Sequence, residues 1–432
     1  MSTGRSNARW VGRLSTRRFS LQRLLIILSV IGPGLITANA DNDAGGVTTY
    51  ATVGATFGYE MIWGLILVTI SLIVIQEMAA RLGTVTGRGL ADLIREEFGV
   101  KPAFLAMLTL LVANLATTAS EFAGMAASLE IFGVARWITI PLMAIVVWVS
   151  VTTGSYRRLE RIFLAVSLAF VTYIISGFLI RPEWPTVLRH AVVPSFRWDT
   201  HFLLLFVGMV GTTITPWMQF YLQASVVDKG LTAQDLRYVR WDVTLGSLWS
   251  DLVAFFIIVD TAATLFPHGI QITQAGDAAR ALEPFAGHYA SVLFASGLFA
   301  ASFLGAAILP LSTAYAISEA FGFERSVNRA WREAPIFFWL FTSILGIGAL
   351  LPLIPRISLV KLMLFAQDVN GFLLPVILLF MLRLVNNHRL MGPHTNGPIY
   401  NLIVWATVLM IVGLTCALLA GSFLPGLLAG GK

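Results

Sequence analysis

Long apolar runs separated by short polar ones dominate this chain. Eleven stretches stand out, beginning with Leu24–Val53, Met61–Leu82, Phe104–Ala127, Trp137–Thr153 and Ile162–Ile180. They continue with Phe202–Val227, Val243–Phe266, Tyr289–Ala320, Ile336–Leu353, Ser358–Val385 and Ile399–Ala420. A helix needs about 20 mostly apolar residues to cross the hydrocarbon core, and these stretches fit that need. The pattern predicts an all-α membrane protein of eleven spans. The connecting loops are short, about 20 residues at most, so no soluble domain is appended. The charged connector Arg88–Phe98 reads either as an amphipathic surface helix or as a solvated link, and the solvated link is the simpler reading.

Two spans are interrupted by polar residues. The first contains Asp41, Asn42, Asp43, Gly45 and Gly46 near its middle. Asp and Asn compete for backbone hydrogen bonds and glycine relaxes a helix, so no continuous helix suits this run. The sixth carries Gly211, Thr212, Thr213, Thr215 and Pro216. Pro216 removes one helical hydrogen bond and frees the carbonyl of Thr212. Broken helices at membrane depth are tolerated where they are buried or line a cavity. Breaks at matching positions in the first and sixth spans point to a five-plus-five inverted-repeat transporter, with its site at the midplane. The first repeat would be residues 24–180, the second 202–385, and the eleventh helix 399–420, after a basic tail at 1–23.

Composition agrees with the pattern. The chain has 432 residues, 57% hydrophobic and 12% charged, against about 25% charged in soluble domains. An outer-membrane barrel would give a weaker, alternating apolar signal. The net charge of +6 reflects topology and requires no nucleic-acid partner. Under the eleven-span alternation, 21 of the 29 Lys and Arg residues share one side with the tail, which holds Arg5, Arg9, Arg13, Arg17, Arg18 and Arg23. By the positive-inside rule the N-terminus is expected in the cytoplasm and the C-terminus outside, in the cytoplasmic (inner) membrane. The tail resembles a signal-peptide n-region, but the apolar stretch behind it is too long and contains acids, so it reads as a retained span.

The polar breaks offer carboxylates, carbonyls and hydroxyls, with no facing Lys or Arg. An anion would want cationic partners; hard oxygen ligands suit Mg²⁺, Ca²⁺ or Mn²⁺. None of the six histidines falls at a span centre, and the single Cys416 cannot build a thiolate cluster. No HExxH motif, Ser/His pair within spans or phosphate-handling acid cluster is present, which argues against an intramembrane enzyme. No cofactor and no obligatory protein partner is expected; the divalent ion is cargo and the surrounding partner is the bilayer.

Several motifs resemble the NRAMP family of divalent-metal transporters over nearly the whole chain. They are GPG at Gly32–Gly34, the acidic break at Asp43, AARLGTVTGRGLADL at Ala79–Leu93, SYRRLER at Ser155–Arg161 and LMG…N at Leu390–Asn396. The resemblance implies a LeuT-type inverted repeat that binds metal between its first and sixth helices. The family's first-helix motif, Asp-Pro-Gly-Asn, falls on Asp43, Ala44, Gly45 and Gly46, so the Asp and Gly are kept and the Asn is lost. Its sixth-helix Met-Pro-His falls on Thr215, Pro216 and Trp217, so thioether and imidazole are both missing. Met218 is nearby but on a different face. In the third span Glu121 matches one family acid, while the acid linked to proton movement falls on Thr118. Gln367 matches a family Gln near the metal, with Asp368 and Asn370 as extra polar groups.

A thioether favours softer Mn²⁺, Fe²⁺ or Cd²⁺; without it hard ions are no longer disfavoured. Mg²⁺ keeps several waters, and a wider oxygen-lined site suits it. The pattern resembles the NRAMP-related magnesium transporter branch. The expected ligands are Asp43 first, with Asp41 and Asn42 as ligands or caps. The resemblance adds the carbonyls of Ala40 and Thr212, while Thr215 would hold a metal-bound water. Gln367 and Asp368 would complete the shell or bond between helices. Gly46 and Trp217 would shape the cavity, and Glu121 would support it or relay cations. Asp251 and Asp260, in the seventh span, have no assigned role. The expected function is uncoupled Mg²⁺ transport, with Mn²⁺ also accepted; the alternatives are a proton-coupled Mn²⁺/Fe²⁺ symporter and an amino-acid or organic-cation carrier.

Overall fold

A computed structural model describes residues 42–153, 171–324 and 331–423. Of the expected features, Asp41, Ala40, the GPG turn, the basic tail and the SYRRLER loop lie outside these residues. All regular secondary structure among the described residues is helical, with no strand.

Fourteen helices of nine residues or more carry the architecture. They are α1 (Ala44–Phe57), α2 (Ile62–Thr86), α3 (Leu90–Phe98), α4 (Val100–Glu130) and α5 (Arg136–Thr152). Next come α6 (Val171–Leu179), α7 (Trp184–Val192), α8 (Thr200–Thr213), α9 (Pro216–Asp228) and α10 (Leu236–Thr264). The last four are α11 (Ala290–Phe321), α12 (Pro335–Leu350), α13 (Leu359–Val385) and α14 (Pro398–Phe423). Among the described residues, eight helical segments are long and apolar enough to cross a membrane. They coincide with the expected second, third and sixth to eleventh spans. The first and fifth expected spans are described only in part, and the fourth corresponds to the 17-residue α5. The helix of the seventh span, α10, starts at Leu236, seven residues before its apolar stretch. Leu236, Val239 and Asp242 bury one face there, so tertiary packing carries the helix past the end of the apolar pattern.

α1 is the central element: 13 of its 14 residues are buried. It packs on α10, α13, α8 and α4. α4 in turn packs along α11 and α13. Small residues permit these approaches, since helix association in lipid depends on close packing rather than on a hydrophobic drive. At Gly211 of α8 an added Cβ would lie 2.1 Å from the Gln367 carbonyl oxygen of α13. At Gly124 of α4 it would lie 2.3 Å from the Ala44 Cβ. The outer surface is apolar, as a lipid-facing surface must be: Trp137, Ile138, Ile145, Trp339, Phe365 and Leu409 are exposed.

The connector read as a solvated link folds instead onto the bundle as α3. Leu90, Ala91, Leu93 and Ile94 are buried against α4 and α11, while Arg88 and Glu96 pair on the outside. The alternation of apolar and charged positions in this segment encoded a packing face. At the same end of the bundle, the buried Glu77 of α2 receives Arg81 at 3.1 Å and Arg240 of α10 at 2.7 Å. Arg81 also donates to the His394 carbonyl at 2.6 Å and to Asn396 Oδ1 at 2.5 Å. The guanidinium lies over the Tyr400 ring, 5.6 Å from its centroid. The AARLG and LMG…N motifs therefore meet at one ion-paired joint.

Candidate functional site

Both sequence breaks coincide with helix ends among the described residues. α1 begins in mid-bundle at Ala44, after Asp43 in extended backbone (φ −75°, ψ 179°). Asp43 caps this new helix: its Oδ1 accepts from the Gly46 N–H at 2.6 Å. This is the local reason for the break, because a carboxylate at an N-cap satisfies one orphan donor and complements the positive helix end. The cap and the candidate ligand are the same residue. Gly46 contributes through its N–H. α8 ends at Thr213, and Ile214 (φ −123°, ψ 71°) and Thr215 (φ −74°, ψ 143°) leave helical geometry before Pro216 opens α9. Pro suits this first helical position, where its missing N–H costs nothing.

Around the α1 start the chain assembles a buried polar set. Glu121 of α4 is fully buried, and its Oε2 accepts from the Ala44 N–H at 3.4 Å. Its carboxyl stands beside that of Asp43. Gln367 of α13 reaches Asp43 Oδ1 through Nε2 at 3.5 Å. Asn370 Nδ2 donates to Gln367 Oε1 at 2.8 Å and to Thr117 Oγ1 at 3.0 Å. Tyr50 and Thr213 share a hydrogen bond of 2.8 Å that ties α1 to α8.

Several oxygens in the set lack partners among the described residues: Asn42 Oδ1, Glu121 Oε1, Thr212 Oγ1 and Thr215 Oγ1. Buried polar atoms are rarely left unpaired, and unpaired buried oxygens suit a cation or its water shell. No cluster of three His, Cys, Asp or Glu side chains occurs among the described residues. A cation here would meet two carboxyls and neutral oxygens.

Asp43, Gly46, Glu121 and Gln367 come together. Thr212 and Thr215 flank the second break with buried hydroxyls. Asn42 turns its amide to Ser250 of α10, at 3.3 Å. Asp368 lies against Gly208 of α8, where an added Cβ would be 2.9 Å from its Oδ1. One residue along a helix rotates the side chain by about 100°, so with Gln367 facing Asp43 its neighbour faces α8. Trp217 is buried, its ring 5.7 Å from that of Tyr221. Met218 brings its sulfur to Gln76 of α2, 3.7 Å from Nε2. Thr118 bonds its own helix at the Asn114 carbonyl, 2.6 Å away. Asp260 is fully buried on α10, with its carboxylate beside Gly177 of α6.

Sequence reasoning gave no role to Thr117 and treated Asn370 only as an extra polar group. The available signal was the i, i+3 spacing of Gln367 and Asn370, which puts two amides on one face of an apolar helix.

The family model described as natural resistance-associated macrophage protein-like, Nramp, matches residues 34–421. A curated relative, the divalent metal cation transporter MntH of Aeromonas hydrophila, is 25% identical over 402 residues, covering 91% of this chain and 95% of that protein. MntH 1 of Pseudomonas aeruginosa is 29% identical, covering 87% and 88%. Among solved structures, a mutant of the manganese transporter of Eremococcus coleocola superposes with a TM-score of 0.74 at 18% identity, covering 95% of this chain and 90% of that one. A nucleobase-cation-symport-1 family transporter in a closed conformation superposes with a TM-score of 0.54 at 16% identity, covering 90% and 91%. The fold is thus the five-plus-five inverted repeat with broken first and sixth helices.

Proposed function

This chain belongs to the Nramp family, and on that premise we propose that it carries divalent metal cations across a cell membrane by alternating access, with Mg²⁺ as principal cargo and Mn²⁺ also accepted. Transport of divalent cations rests on the family and on the oxygen-lined break. The Mg²⁺ preference rests on one observation: among the described residues, Thr215 and Trp217 offer neither sulfur nor imidazole at the second break. Thr215 stands where the family carries a thioether, and Met218, three residues along, gives its sulfur to Gln76. A site of hard oxygens does not penalise Mg²⁺ relative to softer ions. Asp43 would be the direct or water-mediated ligand, with the Thr212 carbonyl, Thr215 and Asn42 around it. Asp41 and Ala40 complete the proposed set on the other side of the break. The site would leave the cation several of its waters, as Mg²⁺ requires.

Uncoupled transport is the accompanying proposal. It is supported by Thr118, whose hydroxyl is tied to its own helix, and by Trp217 where the family has an ionisable ring. A second reading, proton-coupled Mn²⁺ symport, is favoured by the relatives' names and by the side-by-side carboxyls of Asp43 and Glu121, which can share a proton. The proposed setting is a cytoplasmic membrane with the Glu77–Arg81–Arg240 joint inside, in line with the charge bias of the loops.

Purified protein in proteoliposomes, with Mn²⁺ uptake measured beside an internal pH dye, separates these readings. Mg²⁺ in excess should compete, the lumen should not acidify, and Asp43→Ala should abolish uptake. Mn²⁺ uptake indifferent to Mg²⁺ and accompanied by acidification would establish the symport reading in its place.

A further inference from the structure

Gln367 has an amide that can present either end to Asp43, and its surroundings decide which. Thr117 Oγ1 has two acceptors in reach, the Ala113 carbonyl of its own helix at 3.0 Å and Asn370 Oδ1 at 3.3 Å, and donates to the nearer. That carbonyl cannot donate or turn round. Having spent its one proton there, the Thr117 hydroxyl offers a lone pair, and Asn370 Nδ2 fills it at 3.0 Å. The second N–H of the same Asn370 amide points at Gln367 Oε1, 2.8 Å away. With its carbonyl occupied, Gln367 turns its Nε2 to Asp43 Oδ1. The first link rests on the shorter of the two distances, and each later link follows from the donor and acceptor inventory of the side chain before it. Thr117, Asn370 and Gln367 are all fully buried, so bulk solvent does not compete for these bonds.

We infer that Thr117 and Asn370 polarise Gln367, so that Gln367 acts as a positioning residue on Asp43 and not as a ligand of the cation. Gln367 and the Gly46 N–H both donate to Oδ1 of Asp43. With two donors on Oδ1, cargo would meet Asp43 through Oδ2, in competition with the Glu121 carboxyl beside it, so that Asp43 binds through one oxygen. A single-oxygen contact strips less water from the ion than a bidentate one. This deepens the transport reading above, on which its consequence for cargo rests; the polarity itself does not depend on cargo.

The test therefore has an arm without any cation. In chelator, thermal unfolding is compared for wild type, Gln367→Ala, Asp43→Ala and the double variant. A donor facing Asp43 predicts that Gln367→Ala lowers the melting temperature by about 1–2 °C, and that the drop shrinks when Asp43 is already Ala. A carbonyl facing Asp43 predicts the reverse sign, because removing one of two opposed acceptors relieves repulsion. A rise, or a drop that ignores Asp43, overturns the inference. Asn370→Asp replaces the donor with an acceptor and should draw Nε2 away from Asp43, abolishing the Asp43-dependent part of the drop. Should that variant not fold, Thr117→Val serves instead, with Thr117→Ser restoring wild-type behaviour.

The second arm measures uptake. Asn370→Asp should lower the apparent KM for Mn²⁺ about tenfold relative to that for Mg²⁺, since a presented carbonyl favours the ion that dehydrates more readily. The shift should vanish when Gln367→Ala is added. A shift that persists without Gln367 comes from the new charge alone and overturns the inference. If wild type takes up neither ion, the transport reading fails, and the cation-free arm still decides the polarity.

Discussion

Gly45 offers a way to disturb the cargo site while leaving the fold intact. An added Cβ would lie 1.8 Å from Gln367 Nε2, and ordinary contact begins near 3.4 Å. The amide must withdraw by the difference, about 1.6 Å. The obstruction is the far end of a flexible side chain, so a rotation relieves it. That rotation breaks the 3.5 Å bond to Asp43 and strains the 2.8 Å bond from Asn370. A hydrogen bond to a charged group is worth about 1.5–3 kcal/mol, and about 1.4 kcal/mol is tenfold in affinity. Gly45→Ala should therefore fold, with a melting temperature near wild type, while the apparent KM for Mn²⁺ rises about 10–100-fold. Gly211→Ala is the contrast. Its Cβ would lie 2.1 Å from the Gln367 carbonyl oxygen and 2.3 Å from the Gly371 nitrogen, both backbone, so α8 and α13 must separate. Overpacking of this kind costs about 1–3 kcal/mol or more and should appear as lost melting temperature and yield. Wild-type KM in a folded Gly45→Ala protein would refute the placement of Gln367 against α1.

Three further outcomes follow from other contacts. Arg81→Lys keeps the charge but cannot span Glu77, the His394 carbonyl and Asn396 together; it should cost about 1.5–3 kcal/mol, read as a lower melting temperature that added salt does not explain. A double-variant cycle of Tyr50→Phe and Thr213→Val should return a coupling of about 0.5–1.5 kcal/mol, and strict additivity would count against a direct bond between α1 and α8. The loop carboxyl of Asp277 is raised by burial, but hydrogen bonds from Thr273 and Gln274 and the charge of Arg280 outweigh this and hold it below its ordinary 3.8. Its contribution is thus present above the unfolded value and lost as pH falls through the lower folded one. Asp277→Asn should speed hydrogen exchange of residues 273–279 at neutral pH, by about 0.5–2 kcal/mol, and the difference should fade below pH 3.8.

The breaks were legible because their causes are local. A carboxylate that caps its own helix, two adjacent glycines and a proline act within a few residues, and Asp43 and Thr215–Pro216 stand where the sequence placed them. The partners were less legible. Glu121 is 77 residues from Ala44, and Gln367 is 324 from Asp43; only packing brings them together. Asp368 is directed elsewhere for a different reason: helical rotation separates neighbours, so with Gln367 toward Asp43 it lies against Gly208 of α8. Asn42 pairs with Ser250, 208 residues away, which no pattern within its own span could reveal. The α3 connector showed its apolar stripe plainly; its burial depended on α4 and α11 being there to receive it.

The joint at Glu77 limits which sequence changes this chain can accept. One carboxylate serves two guanidiniums from different helices, and one of those also holds the segment before α14. A reciprocal charge exchange between Glu77 and Arg81 would restore that pair but set Arg240 against a like charge. Exchange with Arg240 would strand Arg81 in the same way. No single or paired inversion keeps all three satisfied, so drift at this joint requires three coordinated replacements or none. The three positions should therefore change together or stay fixed among chains that fold this way, and because an acid at 81 could not donate to the His394 carbonyl, a library randomised at all three should return acid at 77 with base at 81 and 240 more often than the inverted set.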